Sequence, residues 1–294
     1  MFSILIPTYN NLDYLKICLE SLKKNSKFDH QIIIHINEGS DGTLDFIKNK
    51  NIEFTYTKNN IGMPKALNLA SKLSKKNYIL ISHDDFYFCP DWDVEFLKEI
   101  KNIKHNNFYL SGTMVGEGQI NFDAGFNIKD FNEEKLLNNL NKIKTFDFQG
   151  TTKCPGLVHK DIWNKVGGWS EEFSPTGGDD TDFAMKLWQI NIRIFKGLGK
   201  SSVYHFGSIT TRKKDKKLFT YLGSRGNKIF LKKWGFTINF FEKYFLRSGL
   251  DKNKKLIFKR YEEALTQPYK NFEFYIELIK SKIQLLYLYI VNYK

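Results

Sequence analysis

Two adjacent carboxylates, Asp84 and Asp85, follow the apolar run Tyr78–Ile81, whose residue types predict a buried strand. Carboxylates at the carboxyl end of such a strand would lie where open α/β sheets bind their ligands. Neighbouring carboxylates repel each other unless a cation or hydrogen-bond donors neutralise them. The pattern therefore predicts either a metal or ligand site or a solvated turn, and these residues alone do not separate the two.

Polar loops end two further predicted strands, at residues 7–10 and 37–42. In a parallel sheet these loops and residues 82–85 would converge on one edge. Together they offer hydroxyls, amides, carboxylates and glycines that let the backbone approach a ligand. This set suits a nucleotide whose diphosphate is carried by a metal held on aspartates.

The elements that position these loops alternate along the first half of the chain. Strands are predicted at residues 2–6, 32–36, 52–56, 78–81, 108–113, 192–195 and 202–204, and helices at 12–22, from 43, and at 63–73, 91–101, 133–140 and 271–291. Strand–turn–helix units in series predict an α/β fold with a mainly parallel sheet flanked by helices. Residues beyond 212 are predicted to be helical.

The net charge of +13 is concentrated near the end of the sequence. Residues 213–294 contain 19 Lys and Arg against 7 Asp and Glu, whereas residues 1–212 contain 26 against 25. This asymmetry predicts an anionic partner for the basic region, such as a membrane surface, a lipid-linked phosphate or an acidic glycan. A solvated surface in a Lys-rich chain is the alternative, and no motif indicates nucleic-acid binding.

The three cysteines, Cys18, Cys89 and Cys154, are widely spaced and form no CxxC pattern. They predict reduced thiols in a cytoplasmic protein. No signal-peptide pattern is apparent, and no apolar run reaches the length of a spanning helix. The expected location is the cytoplasm, with peripheral contact at the inner membrane surface as an option for the basic region.

An ordered set of motifs resembles the family 2 glycosyltransferases, which have the GT-A fold and use nucleotide-diphosphate sugars. The matching blocks are Ser3-Ile4-Leu5-Ile6-Pro7-Thr8-Tyr9-Asn10, Asn37 to Thr43, Asn60 to Asn68, His83-Asp84-Asp85, Gly167-Gly168-Trp169, Asp179 to Asp182, and Lys232-Lys233-Trp234-Gly235. The resemblance covers roughly residues 1–235. It implies a GT-A catalytic domain at 1–212, with a nucleotide-binding half at 1–115 and an acceptor half at 116–212. A basic helical extension at 213–294 would follow.

The resemblance also implies roles for individual residues. Nucleotide-binding residues would be Pro7, Thr8, Tyr9, Asn10, Glu38, Ser40, Asn60, Gly62, Lys65, His83 and Asp84. A divalent metal, Mn²⁺ or Mg²⁺, would be held by Asp84 or Asp85 with His205, and Trp169, Gly178 and Asp179 would lie at the sugar and acceptor site. The family's Asp-x-Asp motif lacks one acidic residue here, because Ser82 or His83 stands in its first place. Arg212, Lys213 and Lys214 are interpreted as either cations that close over the diphosphate or a solvated charged run.

Asp180 is the candidate catalytic base, by its alignment with the family's base. Transfer of a sugar requires a carboxylate that removes the acceptor hydroxyl's proton, and a single displacement inverts the anomeric centre. The alternative for Asp180 is a helix N-cap or a dipole-compensating carboxylate. The alternative for His205 is a packed core histidine.

The predicted function is an inverting glycosyltransferase that uses a UDP, GDP or dTDP sugar and a glycan, lipid-linked or protein acceptor. A nucleotidyltransferase is the second hypothesis, although residues 7–11 lack the Gly and Arg of its phosphate loop. A nucleotide- or carbohydrate-binding protein without turnover is the third, because the metal motif is altered. A processive synthase is disfavoured, since no spanning helix and no Gln-x-x-Arg-Trp sequence occurs.

The last predicted helix has a broad apolar surface. Phe272, Ile276, Ile279, Ile283, Leu286 and Ile290 share one face, and Phe274, Leu278, Leu285 and Leu288 widen it. Such a helix either lies on a membrane interface or packs against the catalytic domain or a second copy.

Overall fold

A nine-stranded sheet lies at the centre of the computed structural model, which describes residues 1–207, 215–249 and 259–291. The strands are β1 (Phe2–Tyr9), β2 (Gln31–Asn37), β3 (Glu53–Thr57), β4 (Tyr78–Ile81), β5 (Phe86–Phe88), β6 (Phe108–Gly116), β7 (Phe148–Gln149), β8 (Gly156–His159) and β9 (Ile194–His205). Their order is β3-β2-β1-β4-β8-β6-β9-β5, and β7 pairs with β9. This mixed sheet with flanking helices confirms the predicted α/β class.

Ten α-helices surround the sheet in the described ranges. They are α1 (Leu12–Asn25), α2 (Thr43–Lys48), α3 (Met63–Ser71), α4 (Trp92–Ile103), α5 (Glu133–Leu140), α6 (Lys160–Val166), α7 (Asp179–Gln189), α8 (Lys216–Trp234), α9 (Ile238–Tyr244) and α10 (Phe272–Val291). The considered cations Arg212, Lys213 and Lys214 lie outside the described residues.

The parallel character predicted from the alternation is concentrated in the first half of the chain. Strands β3, β2, β1 and β4 are all parallel, whereas β8 is antiparallel to both β4 and β6. The two strands predicted near residues 192–195 and 202–204 are one long strand, β9. It runs parallel to β6 through an irregularity between Ser111 and Thr113.

Strand register brings distant residues to one edge of the sheet. Tyr9 lies opposite Asn37 at the ends of β1 and β2, and β4 ends beside them. The antiparallel strand β9 places His205 opposite Phe86, immediately after the carboxylate pair. Antiparallel β8 places Gly156 opposite Ile81, so the residues that precede β8 lie beyond the end of β4.

One hydrophobic core joins the sheet to elements late in the sequence. Ile4 and Leu80 belong to the same buried cluster as Phe230 of α8 and Phe241 of α9. Helices α8 and α9 therefore pack on the body of the protein, because their apolar side chains are buried with those of the sheet. The domain boundary at residue 212 lies outside the described residues and stays a prediction.

Helix α10 packs beside α8 and α9, where Phe274 contacts Phe240 and Tyr244. Across the described ranges, none of the helices combines the length and the apolar character needed to traverse a bilayer. The packing of α10 thus uses one of its faces.

Candidate active site

Three possible metal ligands meet at the end of β4. Ligand atoms of His83, Asp85 and His205 all lie within 4.8 Å of one another. His205 Nε2 is 3.5 Å from Asp85 Oδ2, and His83 Nδ1 is 3.9 Å from Asp85 Oδ1. Two ligands of one cation, each about 2.1 Å from it, are separated by roughly 3–4 Å. The spacing therefore fits a single divalent ion.

The orientation of His205 and the protonation of His83 also suit a metal. His205 Nδ1 lies 2.5 Å from the carbonyl oxygen of Glu117, so this nitrogen donates a proton and Nε2 is the atom directed toward Asp85. Burial lowers the pKa of His83 to about 4, which leaves its ring neutral at pH 7. Two imidazoles beside one carboxylate favour a transition-metal cation over Mg²⁺, which prefers oxygen ligands.

Asp84 faces the nucleotide side of the predicted site rather than this cluster. The hydroxyl of Thr8 donates to Asp84 Oδ2 at 2.7 Å, and both residues are buried. Burial and the charge of Asp85 raise the pKa of Asp84 to about 7, despite the bond from Thr8. The sequence could not distinguish these two neighbours. In the structure Asp85 lies beside the two imidazoles, whereas Asp84 is hydrogen-bonded to Thr8 of β1.

The predicted nucleotide-contacting side chains after β1 and β2 are brought together. Asn10 Nδ2 donates to Glu38 Oε1 at 3.1 Å, and Ser40 Oγ donates to the same oxygen at 2.9 Å. Asn10 and Glu38 both have positive φ angles, 45° and 65°, so each turns sharply at its strand end. Pro7 and Tyr9 lie on β1 within this rim. The group forms a polar rim next to Thr8.

The segment around Gly62 contacts the loop that precedes α7. Gly62 has a φ of 82°, and a Cβ there would clash with the backbone of Pro175. Met63 N donates to the carbonyl oxygen of Pro175 at 2.8 Å. Asn60 Oδ1 accepts from Gly62 N and shapes the turn, while Lys65 is an exposed residue of α3. Gly62 therefore positions the loop before α7 in addition to any nucleotide contact.

That loop carries the candidate base. Asp180 Oδ2 accepts a hydrogen bond from Lys153 Nζ at 2.6 Å, and Asp180 Oδ1 accepts from Thr181 N at 2.8 Å. Burial opposes ionisation, but the charge and hydrogen bond of Lys153 outweigh it and lower the pKa of Asp180. The N-cap of α7 is Gly178, so Asp180 does not cap the helix, although it lies in the first turn where an anion is stabilised.

The other carboxylates of this acidic loop have internal partners. Asp179 accepts from Thr176 Oγ1 at 3.1 Å and from Gly177 N at 3.2 Å. Burial and the charge of Asp180 raise the pKa of Asp179 to about 7. Asp182 is fully buried and accepts from Trp234 Nε1 at 2.8 Å. The motif at residues 232–235 thus fixes α8 to α7.

Trp169 forms a wall beside the acidic loop. The side chain of Asn68 holds its backbone, since Asn68 Oδ1 accepts from Trp169 N at 2.9 Å and Asn68 Nδ2 donates to Trp169 O at 2.8 Å. The indole is 2% exposed, and its Nε1 has no hydrogen-bond partner among the described residues. Asn68, predicted from the nucleotide-contacting block, therefore has a positioning contact across the cleft.

A cavity of about 330 Å³ joins the two sides of the site. Its lining includes His83, His205, Lys153, Trp169, Gly178, Asp179 and Asp180, together with Phe219, Leu222 and Gly223 of α8. The cluster around Asp85 and the acidic loop thus face one space. The rim at Glu38 lies outside this lining, as do Thr8 and Asp84, which are hydrogen-bonded to each other.

Two polar residues of the cleft carried no signal in the sequence. Lys153 lies three residues before Gly156, so the pairing of β8 with β4 delivers it to the carboxylates. Glu242 of α9 accepts from Thr181 Oγ1 at 3.3 Å, and burial raises the pKa of Glu242. Because Lys is frequent throughout this chain, Lys153 does not stand out in the sequence. Only the pairing of β8 with β4 shows that it lies in the cleft.

Comparison with known proteins identifies the family. The family described as "Glycosyl transferase family 2" matches residues 3–154. An uncharacterized glycosyltransferase of Haemophilus influenzae is 25% identical over 194 residues, 64% of this chain and 62% of the relative. The chondroitin synthase of Pasteurella multocida is 29% identical over 142 residues, 46% of this chain and 15% of the relative. The chain thus spans less than two thirds of the length of these relatives.

Solved structures show the same fold. Residues 1–349 of S. aureus TarS give a TM-score of 0.53 at 18% identity, covering 78% of this chain and 68% of that one. GalNAc-T7, solved with UDP, GalNAc and Mn²⁺, gives a TM-score of 0.54 at 12% identity, covering 79% and 50%.

The sheet, its flanking helices and these likenesses define a GT-A fold. The chain belongs to glycosyltransferase family 2. Membership of this family disfavours the nucleotidyltransferase hypothesis.

Proposed function

We propose that this enzyme transfers a sugar from a nucleoside-diphosphate donor to an acceptor hydroxyl with inversion, and that it uses a divalent cation. One observation carries the proposal: the imidazoles of His83 and His205 line the same cavity as the carboxylates of Asp179 and Asp180. A donor diphosphate at the imidazole side and an acceptor at the carboxylate side would place the anomeric carbon between them. This is the arrangement that a single displacement needs.

The polar rim is the proposed site of the nucleoside. Glu38, held by Asn10 and Ser40, presents a carboxylate at the strand ends, where it can accept hydrogen bonds from a base N–H. Asp84, anchored by Thr8, is placed for a ribose hydroxyl. Solved relatives of this fold contain UDP or UDP-GlcNAc, so a uridine donor is the first candidate, followed by GDP and dTDP sugars.

We assign His83, Asp85 and His205 as the residues that hold the cation. When bound, a divalent ion would stabilise the charge that develops on the leaving diphosphate. The chain's own contribution is orientation: the carbonyl of Glu117 fixes the ring of His205, and the stacking of His83 on Phe86 at 4.8 Å between ring centroids fixes the other. Mn²⁺ is the expected ion, and it is the cation with which GalNAc-T7 was solved.

Asp180 is the proposed general base. Lys153 keeps its carboxylate ionised, so Asp180 can accept the proton of an acceptor hydroxyl as that oxygen attacks. Trp169, Gly178 and Asp179 form the wall beside it and are assigned to the sugar and acceptor. The acceptor is proposed to be a glycan, a lipid-linked saccharide or a protein.

We also propose a cytoplasmic location and the domain division at residue 212. All three cysteines are free and buried, which supports a reducing compartment. The titratable side chains that line the cavity all lie within 1–212, which supports placing the catalytic groups in that range, and α8 adds Phe219, Leu222 and Gly223 to the cavity wall.

The test is release of free nucleoside diphosphate from a panel of UDP, GDP and dTDP sugars. The reaction is run with Mn²⁺, with Mg²⁺ and with a chelator. We expect turnover with a uridine donor that requires Mn²⁺ and stops on chelation. Full activity after exhaustive chelation would contradict the metal assignment. A product that retains the anomeric configuration of the donor sugar would contradict the single displacement.

A further inference from the structure

Helix α10 has apolar residues on two opposite faces. Its inner face packs on the body through Phe274, Leu278, Ser281, Leu285 and Leu288, of which Phe274 is 6% and Ser281 3% exposed. Its outer stripe consists of Phe272, Ile276, Ile279, Ile283, Leu286 and Ile290, which are 37–82% exposed. Phe274, Leu278, Leu285 and Leu288 are therefore the apolar residues that pack on the body. The outer stripe remains exposed to solvent in the part of the chain that the structure describes.

Cations border this outer stripe. Lys280 and Lys282 are exposed and lie on either side of it, at the helical angles of residues that flank Ile283. The adjacent helix α8 contains six Lys and Arg and no Asp or Glu. The two acidic residues of α10, Glu273 and Glu277, are both paired with Lys243. The surface around the stripe therefore combines apolar side chains with an excess of positive charge.

A groove between α8 and α10 connects this surface to the cleft. The groove has a volume of about 940 Å³, and Phe219, Leu231, Ile283, Tyr287 and Leu288 give it a largely apolar lining. Phe219 and Gly223 also line the catalytic cavity. The groove and the cleft therefore share a wall.

Helix α8 is held firmly between the two spaces. A Cβ at Gly226 would clash with the carbonyl of Gly177, so α8 touches the acidic loop through backbone atoms. Any partner seated on α10 and α8 would consequently be fixed in position relative to Asp180.

We propose that the outer stripe of α10 docks on an anionic lipid bilayer, with the helix lying in the interface. Apolar side chains would enter the acyl region, and lysines at the borders would reach the headgroups. Tyr275, Tyr287 and Tyr289 are also exposed along α10, and tyrosine suits this interfacial depth. The shared wall would then present a membrane-bound acceptor to the cleft.

A second copy of the chain fits this surface less well. In a two-fold dimer the same patch would face itself, so Lys228, Lys280 and Lys282 would meet like charges. Helix α8 has no acidic residue, and α10 has none after Glu277, to offset that repulsion. Anionic headgroups supply the missing charge, which is the reason for choosing a bilayer.

The test is sedimentation of the full chain with phosphatidylcholine vesicles that contain about one third phosphatidylglycerol. We expect binding that weakens with salt and with removal of the anionic lipid. The double variant Ile279→Glu/Ile283→Glu should reduce the partition coefficient by at least about tenfold, because two apolar side chains become anions at the interface. Lys228→Gln and Lys280→Gln should each reduce it by about fivefold.

The matched control is Phe28→Glu/Tyr56→Glu, which places two charges on exposed apolar residues away from α10. It should bind vesicles as the unchanged protein does. Because Ile279 and Ile283 are exposed, their substitution should leave the unfolding transition unchanged, which separates lost docking from lost folding.

Three results would overturn the proposal: no vesicle binding at low salt, equal binding by the two double variants, or a concentration-dependent dimer that only Ile279→Glu/Ile283→Glu dissolves. Release of nucleoside diphosphate from a soluble donor should be the same for both double variants, since these residues lie outside the catalytic cavity. Failure of docking therefore leaves the proposed reaction intact, and failure of the reaction leaves docking measurable.

Discussion

The active-site cleft contains two pairs of adjacent aspartates, and the two pairs avoid repulsion in different ways. Asp84 and Asp85 lie at the end of β4, whereas Asp179 and Asp180 begin α7. The first member of each pair accepts a hydrogen bond from a threonine hydroxyl, Thr8 for Asp84 and Thr176 for Asp179, and Asp180 accepts a longer one from Thr181 at 3.3 Å. In each pair burial raises the pKa of the first member to about 7.

The remaining member of each pair meets a different kind of neighbour. Asp85 faces the imidazoles of His83 and His205, and Asp180 faces the ammonium group of Lys153. Neutral imidazoles have lone pairs that can share a cation with a carboxylate, whereas an ammonium group has no lone pair and neutralises the carboxylate directly. Asp85 and the two imidazoles are therefore suited to bind a metal. Asp180 is kept ionised by Lys153 and needs no metal for that.

The largest effect should come from Asp180→Asn, which removes the proposed base. We expect kcat to fall by about 10²–10⁴-fold, while the dissociation constant for the donor changes little. The matched change Asp179→Asn alters the same group one residue earlier and should cost less than about tenfold. Steady-state rates and donor titration measure both. Near-full turnover in Asp180→Asn would assign the base elsewhere.

Next in size is the effect of Asp85→Asn on the metal. Loss of a direct ligand should weaken Mn²⁺ binding by more than the roughly 10–100-fold expected for an outer-shell change. Asp84→Asn, which removes the charge but keeps an oxygen that can accept from Thr8, should weaken it far less. Calorimetric Mn²⁺ titration compares the two variants. Equal losses of Mn²⁺ affinity in the two variants would contradict the assignment of Asp85, and not Asp84, as the direct ligand.

Lys153→Met should change the pH dependence of the reaction. The pKa of Asp180 is lowered in the folded enzyme because Lys153 outweighs the effect of burial, so the base stays ionised as the pH falls. Without the ammonium group the pKa of Asp180 must rise. The acid limb of the kcat/KM profile, where activity is lost on protonation of the base, should therefore move to higher pH.

Lys153→Arg is the control for this shift. It retains the positive charge and should leave the acid limb close to that of the unchanged enzyme. An acid limb that stays in place in Lys153→Met would show that Asp180 does not set it, or that Lys153 does not control Asp180.

The smallest effect on activity is expected at Trp169, which lines the cavity together with the imidazoles and the acidic loop. Trp169→Phe keeps an aromatic ring but removes the buried Nε1 donor, which has no partner among the described residues. Stability should fall by no more than about 1 kcal/mol, because no hydrogen bond is lost. If the part of the indole that lines the cavity contacts a bound sugar, KM should rise by about three- to tenfold. An unchanged KM would limit Trp169 to a packing role.

The parallel half of the fold was predictable because its signals are local. An apolar run such as Tyr78–Ile81 followed by polar residues marks a strand and its end without reference to the rest of the chain. Parallel strands connected by helices then converge at their carboxyl ends, which placed Thr8, Asn10 and Glu38 together. The acidic loop at α7 was equally visible, since its residues are contiguous.

The second half of the cleft could not be derived in the same way. Strand β8 enters antiparallel between β4 and β6, and nothing in its four residues states that partner or register. This pairing brings Lys153 to Asp180, and the pairing of β9 with β5 brings His205 to Asp85. A lone Lys or His in the sequence carries no such information.

Residue patterns a few positions long were enough to predict an α/β protein with carboxylates at strand and helix ends, because those features are local. The charge that each carboxylate meets followed only from the folded arrangement. Asp84 and Asp85 differ by one position, yet one binds Thr8 and the other faces two imidazoles. That outcome depends on contacts between residues more than 75 positions apart, and therefore on the packing of the whole sheet.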